Sequence, residues 1–331
     1  MGNLNPITDL RNTSGNDLIA RLHAIRETVA QRPPQHSLSD SSLSKQDNVT
    51  PAPQEVKQLE IWAEAVRGVP NTLLRSSLFT VSKERDVFKK RELLDSTADV
   101  EIRFMGVRFN QTDLDVWEML LHLARLQPLG SKVQFTAYSM LKELGRGTGK
   151  FQYEQLKEEI ARLQGGHIEV TWQQRKTFLG SLIKEGNRNE DTQLYEVILD
   201  ERLLLLYDCG YSHINWEQRK ALKSSLAQWL HGMYSGHAVP YPYKVETIHR
   251  LCGSRTKQLR NFRQMLKVAL DELVNVGAIK SWDIDATDLV RVVAIPSDSQ
   301  AKHINKKCHT RGRKPSTFSR IGNYAARGKI T

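Results

Sequence analysis

Ser254-Arg255-Thr256-Lys257-Gln258-Leu259-Arg260-Asn261-Phe262-Arg263-Gln264-Met265-Leu266-Lys267-Val268-Ala269-Leu270-Asp271-Glu272-Leu273-Val274-Asn275-Val276-Gly277 is the stretch that decides the fold. At 100° per residue, Leu259, Phe262, Leu266, Leu270 and Leu273 fall within about 80° of one another, which predicts a helix over 255–276 with one buried face. The opposite side carries Lys257, Asn261 and Gln264, flanked by Arg260 and Lys267. Residues 250–267 hold six basic side chains and no acidic one, and acids return only at Asp271 and Glu272. This polarity suits a helix whose N-terminal half enters a duplex major groove, where Arg can grip guanine and Asn or Gln can grip adenine through paired hydrogen bonds. Arg255, Lys257, Arg260, Asn261, Gln264 and Lys267 are therefore the expected DNA-facing set. A plain solvated amphipathic helix offers a similar surface, so position in the fold has to decide between the two.

Working outward, Cys252-Gly253-Ser254 reads as a tight turn, 244–251 as a short helix and Pro240-Tyr241-Pro242 as a break. Asn215 caps a long helix over 216–233, and residues 278–284 and 288–295 make a hairpin after Gly277. Three helices and a hairpin are the order of a winged helix-turn-helix. The same order recurs upstream. A strand starts at 99–104, Thr112-Asp113 caps a helix with Leu114, Trp117, Leu120, Leu121 and Ala124 inward, and further helices cover 136–144 and 150–164. Strands are expected at 167–172, 177–184 and 193–199. In this unit the third helix turns Glu154 and Glu158 outward, so base contact is expected from Arg146, Thr148 and Lys150 at its start. Arg175, Lys176, Lys184 and Arg188 on the strand turns are expected to hold phosphates, or else to serve structure.

The predicted class is α+β and helix-rich: tandem winged helix-turn-helix domains with disordered N- and C-terminal segments. The expected divisions are a disordered region at 1–56, a linker at 57–98, a first winged helix at 99–210, a second at 211–296 and a basic disordered tail at 297–331. The 331 residues carry a net charge of +11, and nine Lys or Arg against one Asp in the tail account for eight of those charges. Such an excess favours a polyanionic partner. Arg311-Gly312-Arg313 within the tail is similar to an AT-hook core, which lies in a narrow minor groove. A merely solubilising basic end explains the tail equally well.

Three scattered cysteines argue against a disulfide framework or a structural zinc site and suit a reducing cytoplasm. There is no secretory leader pattern and no apolar run of membrane-spanning length, so no membrane association is expected. Gly145-Arg146-Gly147-Thr148-Gly149-Lys150 fails as a P-loop because Leu144 and Phe151 stand where Gly and Ser or Thr are needed. With no catalytic motif, the chain is expected to be a non-enzyme without metal or cofactor.

Several motifs together resemble the TrfA family of plasmid replication initiators: Gln58-Leu59-Glu60-Ile61-Trp62, Val69-Pro70-Asn71, Arg75 to Val81, Gly130 with Phe135-Thr136, Pro240-Tyr241-Pro242 and Leu251-Cys252-Gly253-Ser254. The resemblance covers about residues 58–295. It implies binding of directly repeated origin sites (iterons), melting of adjacent AT-rich DNA, and recruitment of the host replicative helicase. Single-stranded origin DNA and a monomer–dimer equilibrium are further expectations. The competing function is a winged-helix transcriptional repressor without an initiation role. Gln58, Leu59, Ile61 and Trp62 look like the short peptide that docks on the bacterial sliding clamp; alternatively, Leu59, Trp62 and Val66 form a helical stripe packed on the first domain.

Overall fold

The computed structural model describes residues 57–97, 99–173, 176–236 and 239–295. An extended opening segment leads to β1 (Val66–Pro70), α1 (Asn71–Leu74), β2 (Phe79–Thr80), β3 (Val87–Leu94), β4 (Val100–Val107) and β5 (Phe109–Asn110). Then come α2 (Gln111–Ala124), β6 (Lys132–Thr136), α3 (Ala137–Glu143), α4 (Lys150–Gly165), β7 (His167–Trp172), β8 (Lys176–Gly180), β9 (Glu185–Asn189) and β10 (Leu194–Ile198). A 3-10 turn at Glu201–Leu203 and α5 (Leu204–Tyr207) connect to β11 (Tyr211–Asn215). The rest is α6 (Trp216–Ala221), α7 (Ser225–Ser235), β12 (Tyr243–Lys244), α8 (Val245–Leu251), α9 (Leu259–Asn275), β13 (Ile279–Ile284) and β14 (Leu289–Ala294).

Helices and strands are thus mixed, and they build two hydrophobic cores, one running from Leu59 to Trp216 and the other from Leu222 to Val292. The units share a wiring. In the first, α2, β6, α3, α4, β9 and β10 occur in that order, with β7 and β8 inserted before β9, and the sheet order is β6-β10-β9; in the second, α7, β12, α8, α9, β13 and β14 follow one another, with order β12-β14-β13. The first unit adds a four-stranded sheet of order β3-β4-β7-β8.

Side chains cap the starts of four α-helices among the described residues. Asn110 accepts from the backbone of Thr112 and Asp113 while Asp113 reaches back to the Asn110 amide, so the cap of α2 lies two residues before the expected one. Thr136 caps α3 and Asn215 caps α6. The long helix expected over 216–233 is broken at Leu222, whose ψ is 134°. Glu272 of α9 draws the chain out of helix there: its carboxylate accepts from the amides of Lys223 at 2.8 Å and Ser224 at 3.2 Å, and the Ser224 hydroxyl then caps α7.

Two expectations about the first unit are corrected. Residues 57–98 are no linker: β1 pairs antiparallel with β11, and Leu59, Trp62, Val69, Leu73, Leu78, Phe79 and Leu94 lie in the core. The hairpin that pairs with β6 is β9–β10, while β7 and β8 extend the other sheet. Glu-Gly-Asn-Arg-Asn of β9 has no apolar alternation and reads as a turn; it is an edge strand held by its backbone ladder.

The units dock through buried polar contacts. Arg219 of α6, 1% exposed, sits 2.7 Å from Asp115 and 3.1 Å from Glu118 of α2, and donates to the Gln228 carbonyl of α7 at 3.2 Å. Trp229 of α7 donates its indole N–H to the Ser76 carbonyl at 3.0 Å. Thr80 donates its hydroxyl to the Gly253 carbonyl at 2.7 Å, and the Val81 amide donates to Cys252 O at 3.0 Å.

Candidate nucleic-acid interface

Five apolar side chains hold α9 down: Phe262, Leu266, Ala269, Leu270 and Leu273 are buried. At about 1.5–3 kcal/mol for each large one, their burial fixes which side of the helix meets solvent. The helix begins at Leu259, not at 255, because residues 255–258 form the turn that precedes it, with Gln258 extended (φ −104°, ψ 120°). Gly253 makes that turn possible. Its φ is +64°, and a Cβ there would stand 2.6 Å from Thr80 Oγ1 and 2.8 Å from Arg108 Nη2. The turn therefore rests directly on the first unit.

The charged groups of α9 divide into two sets. Arg263 pairs with Asp288, Asp271 accepts from the Trp282 indole at 2.9 Å, and Glu272 accepts from the Lys223 and Ser224 amides just before α7. These contacts fasten the helix to its own hairpin and to its neighbour. Lys257, Arg260, Asn261 and Gln264 are exposed and Lys267 is half-buried; none of their side chains has a hydrogen-bond or ion-pair partner among the described residues. The outward row expected from the sequence is present and unengaged. Two exposed side chains on the same surface, Met265 and Val268, were not part of that expectation. The sequence signal was available, because Val268 sits seven residues after Asn261 on the polar face.

Arg255 departs from expectation. It lies in the turn, and its guanidinium donates to both Glu84 and Asp86 of the first unit. It ties the start of α9 to the loop before β3.

The first unit's candidates fare unevenly. Arg146 is corrected outright: it turns inward to Glu159 at 2.6 Å and to the Thr112 carbonyl at 3.1 Å. Glu159 is fully buried, its carboxyl raised above the usual range by desolvation, and Arg146 supplies the opposing charge. Thr148 and Lys150 remain exposed at the start of α4, with Phe151 beside them at 75% exposure. Along α4, Glu154 and Glu158 face out as expected, paired with Lys157 and Arg162. Lys176 is engaged by Asp208 at 2.6 Å. Arg188 is also engaged, by Glu190 at 3.0 Å and by the Tyr195 ring with its centroid 5.5 Å away. Lys184 is exposed. Arg175, Arg311 and Arg313 lie outside the described residues, as do the expectations for 1–56 and 297–331.

The clamp-peptide expectation is also corrected. Leu59 and Trp62 are buried, Gln58 donates to the Arg125 carbonyl at 3.0 Å, and the Trp62 indole donates to His122 Nδ1 at 3.1 Å. Only Ile61 stands free, at 71% exposure. The Trp62 ring lies so close over Gly68 that a Cβ there would be 2.7 Å from it. The segment packs on the first unit as the alternative reading expected, although in extended form and not as a helix.

Among the described residues no helix is long and apolar enough to cross a membrane, and no group of three or more His, Cys, Asp or Glu is placed to hold a metal. The family model for the TrfA protein matches residues 11–293. The chain belongs to the TrfA family. A relative of 27% identity over 299 residues, spanning 86% of this chain and 73% of its own length, is the plasmid replication initiator protein TrfA of Escherichia coli. Among solved structures, RctB domains 2–3 are similar at 12% identity, with TM-scores of 0.44 and 0.48, covering 68% and 69% of this chain and 97% and 99% of theirs. The Pi initiator protein in complex with iteron DNA is similar at 11% identity and a TM-score of 0.40, over 55% of this TrfA-family chain and 92% of its own.

Proposed function

We propose that this TrfA-family chain is a plasmid replication initiator, a non-enzyme that grips repeated origin sites in duplex DNA. Each unit acts as a winged helix-turn-helix, with α9 as the principal reading helix. The observation that carries this reading is the unengaged outward surface of α9 and of the turn before it: Lys257 in the turn and Arg260, Asn261 and Gln264 on the helix stand in solvent while the neighbouring charges are paired off within the fold. Cations on the flank suit phosphates, and amides between them suit base edges. Family membership, and the initiator relative in particular, supports origin DNA as the target. On this reading, origin melting draws on the binding energy of several copies on adjacent repeats, and recruitment of the host helicase follows.

Alanine at Lys257, Arg260 and Asn261 together tests the reading. Discrimination between a repeat and unrelated duplex should disappear while the melting temperature holds, since all three side chains face solvent. Each cation that contacts a phosphate should take about 0.9 from the slope of log K against log salt. Unchanged discrimination on the triple variant rejects α9 as the reader. A protein that binds its repeats yet leaves a supercoiled AT-rich origin closed to a single-strand probe would be a repressor.

A further inference from the structure

The outward face of α9 carries more than cations and amides. Asn261, Gln264, Met265 and Val268 recur at the spacing i, i+3, i+4, i+7 and so form one continuous stripe. All four are exposed, Met265 by 48% and Val268 by 61%. The stripe contains no charge. The cations Lys257 and Arg260 stand at its N-terminal end, and Lys267 lies at its flank. The Thr256 hydroxyl donates to Met265 Sδ at 3.5 Å, which draws the thioether toward the turn that leads into the helix.

An uncharged stripe restricts what it can read. Guanine is gripped best by Arg or Lys, and the cytosine amino group is met by a carboxylate; the stripe has neither. Adenine offers N6 and N7 to an amide, and thymine presents the one apolar group on the major-groove edge, its C5-methyl. Val268 is β-branched, which does not favour a helix, and it leaves its methyls in water, so neither propensity nor packing within the chain accounts for it. We propose that α9 reads A·T pairs, with Asn261 and Gln264 taking adenine edges and Val268, supported by Met265, covering a thymine methyl. This deepens the duplex-reading role proposed above and rests on it.

The test starts from duplexes that the full chain selects from a random pool of about 20 base pairs, long enough for two adjacent grooves. Each thymine of the selected duplex is then replaced in turn by deoxyuracil, which removes the methyl and keeps the base pair. Binding should weaken about fourfold at one thymine or more, the worth of one methyl removed from water. Val268→Ala should bind the thymine and deoxyuracil forms of that position equally. Because Val268 is exposed and alanine favours a helix, this variant should fold as the parent does. A parent protein indifferent to deoxyuracil at every thymine, or a Val268→Ala protein that keeps the parent's sensitivity, overturns the assignment. A pool that enriches no sequence overturns the duplex-reading role itself, and the assignment with it.

Discussion

Single residues decide whether a cation is available to DNA, and their neighbours set the outcome. Arg146 and Lys150 stand four residues apart in a run that reads as a basic turn, but Glu159 is buried beneath Arg146 and needs its charge, whereas Lys150 has no described partner. The sequence could not reveal this, because the acid lies 13 residues away on the inner face of α4. Gly253 is legible in kind, since a turn before a helix calls for a left-handed residue, but its contact with Thr80 belongs to the tertiary fold. Gly253→Ala should cost about 1–2 kcal/mol for the left-handed backbone alone, and more for the clash with Thr80. A thermal melt should drop by several degrees, and specific DNA binding should fall with it because α9 loses its seat. An unchanged melt would mean that the turn moves freely.

At the scale of elements, α9 was legible because five apolar side chains at helical spacing can face only one way. Its first turn was not, since residues 255–258 continue the polar composition while Glu84 and Asp86 hold Arg255 in a turn. Strand β9 escaped notice because an edge strand needs a backbone ladder and little apolar pattern. The segment before β1 escaped because its buried residues, Leu59 and Trp62, also suit a short docking peptide. His122 of α2, packed against that segment, and His231 of α7 carry a pH dependence. Trp62 donates into His122 Nδ1, so the neutral ring keeps its proton on Nε2, 2.8 Å from Glu64. Gln218 spends its amide N–H on the Gly277 carbonyl, so its oxygen must accept from His231 Nε2 at 3.2 Å. Burial, reinforced by nearby arginines, pushes His122 down to about 4 and His231 down to about 3. Because the folded values lie below the unfolded 6.5, the stability these rings contribute is complete above pH 6.5 and is lost as pH falls toward those values. Glu118, pushed up to about 7 by desolvation, works the other way between 4.5 and 7 and offsets one of them. The melting temperature should therefore fall as pH drops from 6.5 to 4. His231→Gln should flatten that fall by about 1.4 kcal/mol per pH unit, one proton's worth. An identical pH profile for the variant would show that His231 titrates normally.

At the scale of the molecule, two units with common wiring are joined by a buried ion cluster. Arg219 lies 2.7 Å from Asp115 and 3.1 Å from Glu118, the latter pair close in charge without hydrogen-bond alignment. Removing Arg219 takes the counter-charge from both Asp115 and the fully buried Glu118, a loss of about 3–5 kcal/mol. Arg219→Ala should lower the melting temperature sharply, and adding Glu118→Gln should recover part of the loss; no recovery would mean that the arginine acts through its other partners, Asp115 and the Gln228 carbonyl. The joint also fixes how far α9 stands from α4, and so which two stretches of a duplex both units could meet at once. Nothing in the sequence announced this, since Arg219 reads as one more solvated cation on a helix. Whether α9 faces DNA is tested most directly by a photo-crosslink from a benzophenone side chain placed at Gln264 to a duplex that the protein selects. An adduct at the selected site, absent from an otherwise identical protein labelled at exposed Leu93, is the predicted result. Full binding without an adduct from position 264 would contradict it.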